Sequence, residues 1–449
     1  MFSAFVNSFK IPELRKRIFF TMGLIFLCRL VCIVPTPGVD VATLQSLAHA
    51  ASSRGGGLLG LVDLFSGGAV SQCAIGALGI MPYISASIIL QLLTAVIPTL
   101  ERLAREGDSG RQKISQYTKY LTVGLCLVQS YFIAKLLENP AALFGSEAHI
   151  VLNPGLGFEL LTVTSVTTGT LLLMWMGDQI TASGIGNGIS LIITVNITSR
   201  LPGAISALIA MFRPTGGGES AFSIFHLAGL LVMAFLVIAG TIAVTQAVRK
   251  IPVQYAKRVV GRKVYGGQNT YMPLRVNYSG VMPIIFASAI LMFPQKLLDM
   301  MPFDFCKRMA ASFAVEGGSY MIFYALLILF FSYFWVATVF NPVQIADDLK
   351  KAGGYVPGIR PGTPTAEFLD RTMTRITLAG AVFLTIIAVI PTIMARQFGI
   401  PWIVASFFGG TSLLIIVGVM LDTMRQVESH LLMRHYDGFM KKGRLRGRR

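Results

Sequence analysis

The side chains that could do covalent or metal chemistry are sparse and badly spaced for it. The five cysteines are Cys28, Cys32, Cys73, Cys126 and Cys306. None forms a CxxC pair, and no Cys/His cluster has metal-ligand spacing. They are expected to pack as small hydrophobes. No Walker A sequence is present, nor an HExxH or a GxSxG. The glycine-rich run from Gly184 to Ser190 has no preceding strand and lacks GxGxxG spacing. It is read as a tight turn opening a helix, with Asn187 or a glycine at positive φ. No catalytic residue, metal site or cofactor is expected.

What the residues do offer is charge. Segment 249–275 carries Arg249, Lys250, Lys257, Arg258, Arg262, Lys263 and Arg275 with no acid, and Tyr255, Tyr265 and Tyr271 lie among them. Gly266-Gly267-Gln268-Asn269 reads as a hairpin turn between short extended arms. Such a basic hairpin suits RNA phosphates or an acidic protein, beyond what membrane orientation needs. Arg29, Asp178 and Asp422 are the charges within or at the ends of apolar runs. That is too few for a coupled ion or proton pathway, and Arg29 is expected to bond to nearby carbonyls or side chains.

The elements that position these groups must be membrane helices. The chain is 54% hydrophobic and 13% charged, whereas a soluble domain carries roughly 25% charged residues. Mean hydropathy is +0.67 and the pI is near 9.9. With about 20 apolar residues needed per crossing, ten spans are expected near 18–36, 76–97, 117–138, 158–177, 187–210, 224–247, 276–298, 319–341, 371–395 and 402–424. Of the 38 lysines and arginines, 29 fall in the termini and alternate loops, eight in the opposite loops, and Arg29 inside the first span. The positive-inside bias then puts both termini in the cytoplasm. Phe2, Phe5, Val6 and Phe9 give a short surface helix ahead of the first span, and no cleavage site marks a signal peptide.

Spans 1–5 and 6–10 begin on opposite sides, which suggests an inverted repeat. The halves are 1–210 and 211–449, with cytoplasmic loops 249–275 and 342–375. A short segment at about 62–74 is too short to cross and too apolar for an ordinary loop. On these residues alone, a passive polypeptide channel and a secondary transporter of a small solute both remain open. An intramembrane enzyme lacks any nucleophile–base or metal constellation.

An ordered set of segments resembles the SecY family, the large subunit of the bacterial protein-conducting channel. They include FSGGAVSQCAIGALGIMPYISASIILQLL (65–93), EGDSGRQKISQYTKYLT (106–122) and ITASGIGNGISLII (180–193). YAKRVVGRKVYGGQNTYMPLRVNYSGVMPIIFAS (255–288), VFNPVQIADDLKKAGGYVPGIRPG (339–362) and FGGTSLLIIVGVMLD (408–422) continue the series. The resemblance implies an all-α, ten-helix clamshell in a bacterial inner membrane. Its pore would be ringed by Ile80, Ile84, Ile193, Ile285 and Ile415, because a narrow apolar ring stays dry and blocks hydrated ions.

Leu64, Phe65, Ser66, Gly67, Gly68, Ala69, Val70, Ser71, Gln72, Cys73 and Ala74 would form a re-entrant plug helix. Gln72 stands where some relatives carry charge. Ser85, Gln91, Gln129, Ser288 and Phe293 match the lateral gate between spans 2 and 3 and spans 7 and 8, where polar groups would be satisfied across the closed seam. Arg258, Arg262 and Arg360 match the loops that dock partners. The implied partners are SecE and SecG subunits, the SecA motor ATPase, the ribosome, secretory polypeptides and membrane lipids. Any ATP hydrolysis would come from outside the chain.

Overall fold

The computed structural model describes residues 11–44, 65–138, 150–212, 224–255, 258–260, 263–265, 269–288, 290–291, 318–398, 400–408 and 410–442. The expected surface helix at residues 2–9, Cys306 and Phe293 lie outside them. Among the described residues, seven helices are long and apolar enough to cross a bilayer. They become eight if Met81–Thr94 and Pro98–Ala104, bent by 104°, count as one broken span. Ten spans were expected from the apolar runs. Helix α1 (Pro12–Ile33) is not among the seven, because every 18-residue stretch of it includes Lys16, Arg17 and Arg29. The region of the seventh expected span is helical at 282–288 and then leaves the described residues.

The chain divides into two compact units. The first comprises Met1–Phe222, Pro401–Phe407 and Ile415–Arg449. It contains α1, α2 (Met81–Val96), α3 (Pro98–Arg105), α4 (Asp108–Glu138), α5 (Leu156–Ser183), α6 (Gly188–Ser199) and α7 (Leu201–Phe212). Apolar side chains face outward along α1 and α4, as Phe26 and Val128 do, because lipid rather than water surrounds them. The expected fifth span is found as one candidate crossing, Gly188–Phe212, with a turn at Arg200 between α6 and α7. Pro202 has no N–H to continue the ladder there. Helices α4 and α5 are tied near one end by Lys119–Asp178 at 2.6 Å and near the other by Lys135–Glu159 at 2.5 Å. Asp178, a charge at the end of an apolar run, is thus half of an ion pair.

The 184–188 turn is held from three sides. Gly186 takes the positive φ, 88°, and its N–H donates to Gln426 Oε1 at 2.9 Å. Ile185 N–H donates to Thr21 Oγ1 at 3.1 Å, and Gly188 N–H to Thr181 Oγ1 at 2.9 Å. Asn187 stays at φ −82° and caps α6, accepting from the N–H groups of Ile189 and Ser190. Leu14, Ile185 and Val427 pack into one small core beside this turn.

The second unit comprises Ser223–Ile400 and Phe408–Leu414. It holds α8 (Ile224–Gln246), strands β1 (Val248–Tyr255), β2 (Arg258–Val260), β3 (Lys263–Tyr265) and β4 (Asn269–Arg275), then α9 (Gly318–Val339), α10 (Pro342–Lys351), β5 (Gly354–Tyr355) and α11 (Thr363–Phe398). Most of α12 (Trp402–Phe408) and α13 (Thr411–Lys442) belongs to the first unit, and together they give one candidate span, Ile403–Leu431, where the tenth was expected at 402–424. Gly410, at φ 130°, marks the break. A Cβ at Gly410 would sit 2.8 Å from Ile387 and 3.1 Å from Val237, so close packing as well as backbone conformation asks for glycine.

The basic hairpin differs from its sequence reading. Asn269 does not sit in the turn between the arms; it begins β4 and pairs with Gln254. The arms are β1 and β4, antiparallel from Val248↔Arg275 to Gln254↔Asn269. Within the segment they bracket, β2 and β3 pair as a second ribbon. Burial decides this register: Ile251, Val253 and Leu274 turn inward, and a one-residue slip would expose them. The sheet gains a third strand, because β5 of the other large loop pairs with the end of β1 through Gln254↔Tyr355 and Tyr255↔Gly354.

Candidate functional site

The segment proposed as a plug is built around glycines. Helical backbone at Phe65 and Ser66 gives way to a run of turns through residue 73. Gly67 and Gly68 stand at φ 69° and 94°, and Cys73 at 45°. Left-handed residues cannot continue a right-handed helix, so residues 67–73 are turns where a helix was expected, and Ala74 bridges to Pro35. Leu64 lies outside the described residues. The segment is nevertheless deeply enclosed: Ser66 is 1% exposed and Ala69 and Ala74 are 0%.

Polar side chains from α1 and the end of α6 hold it. Arg29 Nη1 donates to Gly67 O at 3.3 Å and to Asn196 Oδ1 at 3.4 Å. Asn196 Nδ2 donates to Phe65 O at 3.2 Å, and Ser199 Oγ to Gly67 O at 3.3 Å. Arg200 Nη2 donates to Ser71 Oγ at 3.4 Å. Arg29 therefore bonds to a carbonyl and a side chain, as its place in an apolar helix requires. The far side of the segment is stitched to the end of α1. Thr36 donates to Cys73 O from both N–H (2.9 Å) and Oγ1 (2.6 Å), and Ile75 N–H donates to Val34 O at 2.9 Å. Asn196, Ser199 and Arg200 were not singled out from the sequence. Their signal was there, as three polar residues within five positions of an apolar run.

All five isoleucines proposed for the ring are buried. Ile80 is 3% exposed, Ile84 5%, Ile193 4%, Ile285 2% and Ile415 2%. This excludes a lipid-facing position, unlike Ile89 on the same helix as Ile84, which is 38% exposed. Ile80 is the N-cap of α2, and Ile84 lies one turn on, its N–H donating to Ile80 O at 3.1 Å. Ile193 lies on α6, one turn before Asn196, and Ile415 on α13. Ile285 belongs to the second unit.

The residues proposed for the lateral gate are partnered within their own segments where bonds are seen. Gln91 Nε2 donates to Ser87 Oγ at 3.4 Å, and Ser288 Oγ to Ile285 O at 2.8 Å. A short hydroxyl reaches its own preceding turn more readily than a neighbouring helix. Ser85 and Gln129 are half-buried on α2 and α4.

The basic loops form one platform. Arg249, Lys250, Arg275 and Arg360 are exposed. Arg258 lies in β2 and Arg262 falls outside the described residues. Beneath the sheet, Ile251 and Leu274 pack with Val356 of the other loop, with Val336 of α9, with Phe340 just past its end, and with Leu369, Met373 and Ile376 of α11. The 2% exposure of Leu274 and 4% of Val356 make this a true core. Charge is thus displayed on a sheet that apolar burial fixes in place.

Comparison with known proteins gives a family from sequence and a matching fold from structure. A family model described as SecY matches residues 74–424. The protein translocase subunit SecY of Chlamydia muridarum is 44% identical over 450 residues, covering 98% of each chain. Among solved structures, one describes a SecY protein whose plug domain stabilises the closed state of the translocation channel and maintains a membrane seal. It aligns with TM-score 0.58 at 18% identity, over 92% of this chain and 91% of its own. Sec61 in the canine ribosome–channel complex from the endoplasmic reticulum aligns with TM-score 0.53 at 16% identity, over 92% and 91%. With a family model spanning most of its length and a relative at 44% identity end to end, this chain belongs to the SecY family.

Proposed function

We propose that the chain is the channel-forming subunit of a bacterial protein translocase. It conducts secretory polypeptides across the inner membrane and releases transmembrane segments sideways into lipid. The observation that carries this reading is the enclosed 65–74 segment. A turn-rich, glycine-hinged piece of chain, buried between membrane helices and held by a few polar bonds, is what a removable stopper requires. A transporter of small solutes has no use for it.

In this reading Ile80, Ile84, Ile193, Ile285 and Ile415 supply the apolar seal, and residues 64–74 the plug. Ser85, Gln91, Gln129, Ser288 and Phe293 line the gate, and Arg258, Arg262 and Arg360 dock partners. Both termini and both large loops are cytoplasmic. The ribosome named in the Sec61 match and a motor ATPase are the partners of the basic platform, with small SecE and SecG subunits completing the channel. The chain itself hydrolyses nothing, so the energy for transport is supplied by those partners.

The test is a site-specific crosslink from a stalled secretory chain to a photoreactive residue at position 84 or 415. Capture from both positions, but not from the lipid-facing position 128, is the expected result. Equal capture from all three would remove the case for a conduit at the ring.

A further inference from the structure

We infer that Arg29, Asn196 and Ser199 form a polar clasp that sets how often the 65–74 segment leaves its seat. This rests on reading that segment as the plug. The clasp acts on backbone. Arg29 and Ser199 both donate to the carbonyl of Gly67, and Asn196 donates to that of Phe65. Arg29 also donates to Asn196 Oδ1, so the α1 and α6 sides of the clasp are linked to each other as well as to the plug.

Gly67 is what lets the side chains come this near. Its φ is 69°, and a Cβ there would lie 2.6 Å from Arg29 Nη1 and 3.0 Å from Asn196 Cα. Asn196 is 1% exposed, so its amide is committed to these bonds while the plug is seated.

The chemistry makes the clasp reversible. Its bonds run from 3.2 to 3.4 Å, at the long end for protein hydrogen bonds. When the plug leaves, guanidinium, amide and hydroxyl are exposed to water that replaces the lost carbonyls. The same groups that hold the closed state thus lower the cost of the wet, open one. An apolar seat would hold the plug but leave a dry wall behind it. Arg29, Asn196 and Ser199 are positioning residues; none of them need touch the passing chain.

The experiment is resting conductance of purified full-length channels in planar bilayers, at equal folded protein judged by thermal unfolding. Arg29→Gln and Ser199→Ala are each made in the intact chain and in a chain lacking residues 65–70. In the intact chain, Arg29→Gln is expected to raise resting conductance roughly tenfold and Ser199→Ala roughly threefold, with Arg29→Lys in between. In the deletion background, itself leaky, neither substitution should change conductance. A leaky deletion with wild-type conductance for both Arg29→Gln and Ser199→Ala overturns the clasp and leaves the plug reading standing. An equal rise in both backgrounds also overturns it, because the residues would then be acting elsewhere. A deletion that does not leak overturns the plug reading and the clasp together. Should Arg29→Gln fail to fold, Ser199→Ala decides alone, since Ser199 is only half-buried and its hydroxyl also bonds to its own helix.

Discussion

The enclosed 65–74 segment and the basic β-sheet are both interruptions of a helical membrane protein, and they are secured in opposite ways. The segment buries small side chains such as Ala69 and Cys73, and adds hydrogen bonds from Arg29, Asn196, Ser199 and Arg200 onto a stretch that turns through Gly67 and Gly68. The sheet is held by a seven-residue ladder, a third strand from a distant loop, and an apolar core that includes Leu274 and Leu369. Polar bonds between membrane helices average about 0.6 kcal/mol each, whereas burying one large aliphatic side chain is worth about 1.5–3 kcal/mol. The difference assigns roles. Under the proposed function, one region is suited to letting go and the other to being pushed against.

The comparison breaks most visibly if the sheet's core is removed. Leu274→Ala should cost about 2–5 kcal/mol locally. Protease cleavage within 248–275 should then rise sharply, while resting ion conductance stays at the wild-type level. A leak without extra cleavage would mean that the two regions are not secured separately. Next in size is the charge on the platform. The triple variant Arg258→Glu, Arg262→Glu, Arg360→Glu should weaken binding of ribosomes or of the motor on the order of a hundredfold. Wild-type affinity should depend steeply on salt, and the variant's thermal unfolding should be unchanged. Unaltered affinity for both partners would remove the docking assignment.

The seal sharpens the other side of the comparison. Ile415→Asn puts a polar group at a position only 2% exposed. Hydration in the open state then favours opening, and resting conductance should rise about tenfold. Ile415→Leu should not change it. Equal conductance in wild type, Asn and Leu channels would take Ile415 out of the ring. A smaller effect is expected at the start of α6. Asn187→Ala removes the cap and should cost about 1 kcal/mol, read as faster amide exchange at Ile189 and Ser190.

The smallest effect is at Asp40, whose carboxyl is held below its ordinary range mainly by the Thr43 hydroxyl, with the Thr43 and Ala42 N–H groups adding to it. A lowered carboxyl stabilises the turn fully above its unfolded pKa and loses that contribution as pH falls through the folded one. Amide exchange at Ala42 and Thr43, corrected for intrinsic rates, should therefore speed up only on acidification. Asp40→Asn should abolish that dependence.

Much of the helical layout was legible because apolar length is a local property. The runs at 224–247 and 319–341 give α8 and α9 almost residue for residue. That Arg29 would need carbonyls was equally local reasoning, but its partners were not. Gly67 and Asn196 lie 38 and 167 residues away. Strand β5 is two residues long, Gly354–Tyr355, too short for any alternation to mark it. The paired glycines at 266–267 drew the hairpin turn to the wrong place, because a turn signal says where a chain can bend and the buried face of Ile251 and Leu274 decides where strands pair. The turn between α12 and α13 was also hidden, since Gly409-Gly410 inside an apolar run does not by itself end a membrane helix.

Helix α6 has a consequence that concerns timing rather than strength. Its twelve residues form a rod of about 18 Å at 1.5 Å per residue. One end is capped by Asn187, beside a turn whose Gly186 is tied to Gln426 of α13; the other carries Asn196 and Ser199. A rod this short does not store delay. Between Gln426 of α13 and the start of this rod lies only the 184–188 turn, itself bonded to Thr21 and Thr181. A displacement of α13 at Gln426 would therefore have one short, pinned turn to cross before it met α6.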